Sequence, residues 1–141
     1  MSNIARMHTA EHLLSAVMRK HFHASRNLEL HLGEKKTKCD YPLPRALSNE
    51  DIRRIEQLVN DEITKDHPVF FFFIKRDEAA AYDLWKVPQE SDEIRIVKIG
   101  DFDAQPCSGK HVSHTSEIGV FRITSCDLRD NGRLRIRFKT L

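Results

Sequence analysis

Two histidines one helical turn apart, His8 and His12, are the residues near the N-terminus best suited to chemistry. Apolar residues recur around them at steps of three and four, from Ile4 to Met18, and this spacing predicts a helix that Ser2 or Asn3 could cap. Residues four apart on a helix lie one above the other, so both imidazoles can reach one metal ion. The segment therefore supplies half of a predicted metal site.

A second pair of potential ligands, Cys107 and His111, lies far along the chain, in and just after a loop predicted over residues 101–110. Zinc in proteins usually takes about four thiolate and imidazole ligands, and the two pairs together supply that number and those types. Either pair alone is explained more simply by ordinary helix and core residues. Both pairs in one short chain favour zinc, with His8, His12, Cys107 and His111 as the ligands.

Composition indicates a globular protein. The chain has 141 residues, of which 40% are hydrophobic and 31% charged, and we predict one domain over residues 1–141. No apolar run is long enough to cross a bilayer, and the N-terminus lacks the apolar block of a secretion signal. Three cysteines do not form a disulfide framework. These features predict a cytoplasmic protein without a membrane partner, and the net charge of +2 is too small to indicate a partner by itself.

Hydrophobic patterning and turn residues predict an α+β fold. A hairpin is predicted over 28–41, a helix from Ser48 to just before Pro68, and strands over 94–99, 120–126 and 134–138, the last two joined by an Asn-Gly turn. Val69 to Ile74 is continuously apolar, which predicts a central strand covered on both faces, with its phenylalanines in the core rather than in a base-stacking platform. Asp77 to Trp85 is compatible with a short helix. We predict two layers, helices packed on one mixed, mostly antiparallel sheet.

The two ligand motifs resemble those of a known family. The segment HTAEHLL, from His8 to Leu14, resembles the HxxxH motif that opens the editing domain of alanyl-tRNA synthetases and of free-standing alanyl-tRNA editing proteins. The segment CSGKHV, from Cys107 to Val112, resembles their CxxxH motif, and TSEIG at 115–119 resembles its usual continuation. The resemblance extends from His8 to the final hairpin. It implies the fold shared by alanyl- and threonyl-tRNA synthetase editing domains, in the small free-standing type.

The resemblance also implies an activity. The family hydrolyses the ester between a wrongly attached amino acid and tRNA with the help of Zn²⁺, and the expected substrates are Ser-tRNA(Ala) or Gly-tRNA(Ala), bound by the tRNA acceptor end. Ser108 and Lys110 stand where the family often has glycine and threonine, and the related threonyl-tRNA synthetase domains typically read CRGPH. Editing of mischarged tRNA(Thr) is therefore an alternative. The others are a zinc hydrolase or lyase of the HxxEH type, such as the S-ribosylhomocysteine lyases, and a non-enzymatic, zinc-stabilised tRNA-binding module.

Polar residues near these motifs are candidates for catalysis and substrate binding. Glu11 is a candidate for proton transfer, although we favour its interpretation as a helix-surface residue. His31 replaces a glutamine that the family often has before its hairpin glycine, so it is a candidate pocket and catalytic residue on the strand face opposite Leu30; an exposed strand histidine is the alternative. The candidate substrate-binding residues are Thr9, His31, Ser108 and Gly109.

Basic residues form two groups that suit contacts with tRNA phosphates. A solvated sheet surface explains any single one of them equally well. The candidate tRNA-binding residues are Lys35, Lys36, Lys38, Arg133, Arg135 and Arg137.

Overall fold

The computed structural model describes residues 2–141, which form two α-helices and seven β-strands. In chain order the elements are α1 (Asn3–Phe22), β1 (Glu29–His31), β2 (Thr37–Tyr41), α2 (Asn49–Thr64), β3 (Val69–Lys75), β4 (Glu93–Ile99), β5 (Asp103–Pro106), β6 (Phe121–Leu128) and β7 (Leu134–Thr140). None of the helices in residues 2–141 is both long and apolar enough to span a bilayer.

Both helices begin at side-chain caps that the sequence predicts. The Ser2 hydroxyl accepts a hydrogen bond from the Ala5 N–H at the start of α1. At the start of α2, Ser48 and Asp51 form a reciprocal capping box. The caps satisfy backbone N–H groups at the first turn of each helix, and in α1 the histidine motif begins within two turns of the cap.

The strands form two antiparallel sheets, with strand orders β1-β2-β7-β6 and β3-β4-β5. The helices pack with the four-stranded sheet around the larger apolar core, which includes Leu14, Ile55, Ile136 and Phe138. The predicted α+β class is confirmed, but the prediction of a single sheet is wrong. Hydrophobic alternation shows that a segment is a strand and does not show which sheet it joins. The predicted loop over 101–110 also contains a strand, β5, which pairs with β4.

Strand β3 is an edge strand, so the prediction that it is central and buried on both faces is wrong. Within residues 2–141 it pairs only with β4, and the side chains of Phe70, Phe71 and Phe73 are 46%, 54% and 55% exposed. On one face, Phe72 and Ile74 pack on a small second core around Ile94, Ile96 and Ala79. The run from Val69 to Ile74 is continuously apolar because Phe72 and Ile74 pack on the second core, while Phe73 on the other face borders a cavity.

The segment after β3 is irregular, where a short helix from Asp77 to Trp85 is predicted. A single 3-10 turn covers Arg76–Glu78, and turns follow it. The Asp83 carboxylate accepts a hydrogen bond from the Trp85 N–H at 3.2 Å. This local side-chain bond takes a backbone donor that a helix would need. The result is a turn-rich segment that lies beside the cavity.

Candidate metal centre and cavity

The four predicted ligands meet in space. Helix α1 carries His8 and His12, the segment after β5 carries Cys107 and His111, and their ligand atoms all lie within 4.8 Å of one another. The Cys107 Sγ lies 3.4 Å from the His8 Nε2 and 3.3 Å from the His111 Nε2. Donors that surround one tetrahedral zinc ion at its usual bond lengths are about 3.3–3.7 Å apart. The two distances from the Cys107 Sγ lie in this range, and the type and number of the donors suit a zinc ion.

Arg95 on β4 holds the loop that carries the cysteine. Its Nη1 donates hydrogen bonds to the backbone carbonyls of Cys107 at 2.9 Å and Gly109 at 2.8 Å, while its own backbone carbonyl accepts from the Cys107 N–H at 3.0 Å. Gly109 passes so close to His8 that a Cβ atom at this position would collide with the imidazole. A side chain at position 109 would therefore displace the His8 ring, and the hydrogen bonds of Arg95 tie the loop to β4.

Thr9 fixes the orientation of His111. Its Oγ1 lies 3.0 Å from the Ala5 carbonyl oxygen, to which it donates its only proton, and it accepts a hydrogen bond from the Val112 N–H at 3.2 Å. The His111 Nδ1, 2.9 Å away, must therefore be the donor in its contact with Thr9. This tautomer leaves the lone pair on the His111 Nε2, the atom that faces Cys107. Thr9 is fully buried and serves the metal centre rather than the cavity surface.

Burial keeps the histidines of the centre neutral. Desolvation lowers the pKa of His12 to about 3 and, helped by the neighbouring His12, lowers the pKa of His111 to about 2. Desolvation also lowers the pKa of His8, although Glu11 opposes the shift. The pKa of the Cys107 thiol is raised for the same reason, its burial. Neutral imidazoles have free lone pairs for a metal, and the thiol releases its proton when a cation binds.

Asp103 lies behind His12. The His12 Nδ1 and the Asp103 Oδ2 are both buried and without a hydrogen-bond partner within residues 2–141, and they are 3.9 Å apart. Arg19 on α1 holds the other carboxylate oxygen, Oδ1, at 2.6 Å. Burial raises the pKa of Asp103, against the effect of Arg19. A carboxylate behind a histidine ligand commonly orients the ring and raises its basicity, and Asp103 is placed to do so.

Glu11 faces the metal centre, so its interpretation as a helix-surface residue is wrong. Its Oε2 accepts hydrogen bonds from the Ser15 hydroxyl at 2.7 Å and the Asn27 amide at 3.2 Å. Its Oε1 lies 3.8 Å from the Nε2 atoms of both His8 and His12. The carboxylate is thus anchored through one oxygen and presents the other to the space beside the ligands.

A cavity of about 760 Å³ opens beside the metal centre. Helix α1, strand β5 and residues 81–88 form its walls, and Glu11 and Cys107 are part of its lining. Arg26 spans part of it by pairing with Asp83 at 2.9 Å and lying over the Trp85 ring at 4.9 Å. This volume is in the range of sites that bind small molecules or parts of larger ones.

The other candidate substrate-binding residues divide into two groups. Ser108 and Gly109 line the cavity. His31 does not: it is exposed on β1, while Leu30 on the other face of that strand lines the cavity. Among residues 2–141, the structure therefore brings Ser108 and Gly109, but not His31, to the metal centre.

The candidate phosphate-binding residues lie on or beside the outer face of the four-stranded sheet. Arg135 forms two hydrogen bonds with Asp40, at 2.8 and 3.0 Å, and these hold the pKa of Asp40 below its usual value. Arg137 pairs with Asp127 at 3.2 Å, and Arg133 lies 3.8 Å from Glu29. Lys35 and Lys36 are exposed and Lys38 is half-buried, and none of the three forms an ion pair within residues 2–141. Carboxylates thus balance much of the arginine charge, and the lysines carry the excess.

Several residues of the site were missed by sequence reasoning. Ser15 and Arg19 were not predicted, although they follow the candidate Glu11 at four-residue steps, and this spacing indicates that the three residues share one face of the helix. Asp103 and Arg95 had no such signal, because their roles depend on how β4 and β5 pair.

The sequence of this chain is similar to a known domain family and to several alanine–tRNA ligases. Residues 94–137 match the family described as the threonyl and alanyl tRNA synthetase second additional domain. The chain is 33% identical over 132 residues to an alanine–tRNA ligase of Petrotoga mobilis, covering 92% of this chain and 15% of that protein. It is 36% identical over 128 residues to the alanine–tRNA ligase of Bdellovibrio bacteriovorus, covering 87% and 14%, and 32% identical over 144 residues to that of a Thermoanaerobacter species, covering 98% and 16%. The chain thus spans 14–16% of the length of these relatives.

Proposed function

Because this chain belongs to the family of the threonyl and alanyl tRNA synthetase second additional domain, we propose that it is a zinc-dependent hydrolase that removes a wrongly attached amino acid from tRNA. One observation carries the proposal. Four zinc-type ligands meet beside a cavity, three of them (His8, His12 and Cys107) line it, and so does Glu11, whose Oε1 lies 3.8 Å from the His8 Nε2. A zinc ion with a carboxylate beside it is a common arrangement for the hydrolysis of esters and amides.

The bond to be broken is an ester between an aminoacyl carbonyl and a ribose hydroxyl. Zinc bound by the four ligands would supply Lewis acidity at this point. Glu11 would accept the proton of the attacking water at Oε1, since its Oε2 is occupied by Ser15 and Asn27. The Ser15 hydroxyl gives its proton to Glu11, so the Tyr41 hydroxyl donates to Ser15 at 2.8 Å. This chain of hydrogen bonds orients the carboxylate.

The substrate we propose is tRNA(Ala) carrying serine or glycine. The alanine–tRNA ligases among the relatives support the choice of alanine. A site that accepts serine and rejects alanine must recognise the serine hydroxyl by hydrogen bonds, because polar recognition discriminates far better than a difference in apolar volume. Ser108 and the backbone of Gly109 are the predicted substrate-binding groups that line the cavity.

The test is amino-acid release from charged tRNA. We expect the zinc-loaded chain to release serine or glycine from tRNA(Ala) and to act more slowly on correctly charged Ala-tRNA(Ala). Threonyl-tRNA synthetase substrates, such as Ser-tRNA(Thr), form the comparison set. Zinc binding without release from any of these tRNAs would contradict the proposal and favour a non-catalytic module.

Glu11→Gln tests the role of the carboxylate, because glutamine keeps the shape and removes the proton acceptor. Loss of a general base typically lowers a rate about 10²- to 10⁴-fold. Glu34→Gln, a change to an exposed glutamate on the β1–β2 turn, is the matched control. Equal rates of serine release by the two variants would remove Glu11 from the mechanism.

A further inference from the structure

Three exposed aromatic rings lie at and next to the mouth of the cavity. Phe73 and Trp85 both line it, and they are 55% and 50% exposed. Phe71, which is 54% exposed, lies next to Phe73 on the same face of β3. The centres of the two rings are 5.9 Å apart, and the rings make an interplanar angle of 85°. We call Phe71, Phe73 and Trp85 the aromatic rim. Large exposed rings that adjoin one another usually mark a binding surface.

The aromatic rim is accompanied by positive charge. The Arg95 guanidinium lies 4.2 Å from the centre of the Phe71 ring, and that of Arg26 lies 4.9 Å from the centre of the Trp85 ring. The Arg95 Nη1 donates to neutral backbone carbonyls, and the guanidinium forms no ion pair with a carboxylate among the described residues. Lys86, which also lines the cavity, forms no ion pair within residues 2–141. Two uncompensated cations therefore stand beside the rings.

We propose that the aromatic rim binds the single-stranded 3′ end of an RNA, by stacking its bases, and thereby leads the terminal nucleotide into the cavity. The inference rests on the proposed function, which requires an ester on a terminal ribose to reach the metal centre. Bases stack on aromatic rings and on guanidinium planes, and nearby cations attract the phosphates between them. The continuity of the rim with the cavity makes a strand of RNA, rather than a second copy of this chain, the occupant.

The matched control for this surface lies on the same strand. Phe70 is 46% exposed, but it points to the other face of β3, where it borders a separate depression with Lys98 and Phe102. Phe70→Ala and Phe73→Ala remove the same number of atoms from exposed positions of one strand. A general effect of losing a phenylalanine from β3 would appear in both variants.

The experiment uses the fluorescence of Trp85, the only tryptophan of the chain. The full chain is titrated with a short single-stranded RNA that ends in CCA, and with the same RNA lacking its last two bases but keeping its sugars and phosphates. We expect quenching and a dissociation constant that rises about 5- to 150-fold in Phe73→Ala or Phe71→Ala, since stacking contributes about 1–3 kcal/mol per base. Phe73→Tyr should retain binding, Phe73→Leu should lose it, and Phe70→Ala should match the wild type.

Two results would overturn the inference. One is that Phe73→Ala and Phe70→Ala bind the RNA with equal affinity, or that the wild-type chain binds the intact and the base-deficient RNA with equal affinity. Either outcome would show that charge alone attracts the RNA. The other is a dimer in sedimentation that Phe73→Ala dissociates without any change in RNA affinity, since the rim would then be a surface between two copies. Serine release, measured in parallel, separates this inference from the proposed function. Ring-dependent binding without hydrolysis would refute the function alone, and hydrolysis that is indifferent to the rings would refute the rim alone.

Discussion

Replacing Asp103 by asparagine is expected to weaken zinc binding about 10- to 100-fold, the usual effect of losing a carboxylate behind a histidine ligand. The structure explains why this carboxylate should matter. The His12 Nδ1 and the Asp103 Oδ2 are buried, lack other partners within residues 2–141, and are 3.9 Å apart. A hydrogen bond forms at about 2.7–3.2 Å, so a shift of about 1 Å closes the pair. A metal on the His12 ring makes its N–H a stronger donor and favours that closure.

The expected change corresponds to about 1.4–2.7 kcal/mol of binding free energy. Asparagine has the size of aspartate and keeps an acceptor oxygen for Arg19, which contacts the Asp103 Oδ1 at 2.6 Å. The substitution therefore removes charge at His12 while leaving the packing nearly unchanged. The control is Asp101→Asn, two residues away, because the Asp101 side chain is fully exposed and its one ion pair within residues 2–141 is with Lys98, at 3.7 Å.

The assay is competition for zinc between the protein and a chromophoric chelator, with the unfolding of the metal-free variants as a check on the fold. We expect the dissociation constant of Asp103→Asn to rise and that of Asp101→Asn to equal the wild type. If both variants bind zinc equally well, Asp103 does not support His12 and the reasoning from the two unpartnered atoms is wrong.

Three further predictions concern the same site and its surroundings. The pKa values of His12 and His111 in the folded protein are about 3 and about 2, below the unfolded value of 6.5. The unfolded chain therefore binds more protons than the folded chain below pH 6.5. The metal-free protein should lose stability as the pH falls from 6.5 towards 3. Each histidine contributes a slope of up to about 1.4 kcal/mol per pH unit, which urea unfolding between pH 7 and pH 5 would measure; a flat profile would refute the buried neutral rings. Gly109→Ala should cost about 1–3 kcal/mol of unfolding free energy and weaken zinc binding, because its Cβ meets an imidazole of the centre; unchanged calorimetry and zinc affinity would show that the loop adjusts freely. Charge reversal at Lys36 should weaken tRNA binding at low salt more than reversal at Arg135, which already has a carboxylate partner; equal effects in a filter-binding titration would show that this pairing does not matter.

The convergence of the four candidate ligands could be predicted from the sequence because helical spacing is a strong geometric signal. Residues four apart on α1 had to share a face, and the later Cys-x-x-x-His motif matched them in ligand type. The caps of both helices and the Asn-Gly hairpin were predicted for similar reasons, since each depends on neighbouring residues only.

Features that depend on distant pairing were not predicted. Val69 to Ile74 was expected in the core, yet three of its phenylalanines are exposed because β3 has a neighbour on one side only. Glu11 was interpreted as a surface residue, since no local pattern shows that Asn27 and Ser15 enclose it. Asp103 lies in the site because β5 pairs with β4. Strand β5 was not predicted, since the composition of residues 101–110 is typical of a loop.

The rate of serine release from Ser-tRNA(Ala), measured with the zinc-loaded and the metal-stripped chain, tests most directly whether the converging ligands form a hydrolytic centre. We predict that the loaded chain releases serine, that stripping the metal abolishes release, and that restoring zinc restores it. Equal release by both forms, or no release by either, would contradict a zinc-dependent hydrolase at His8, His12, Cys107 and His111.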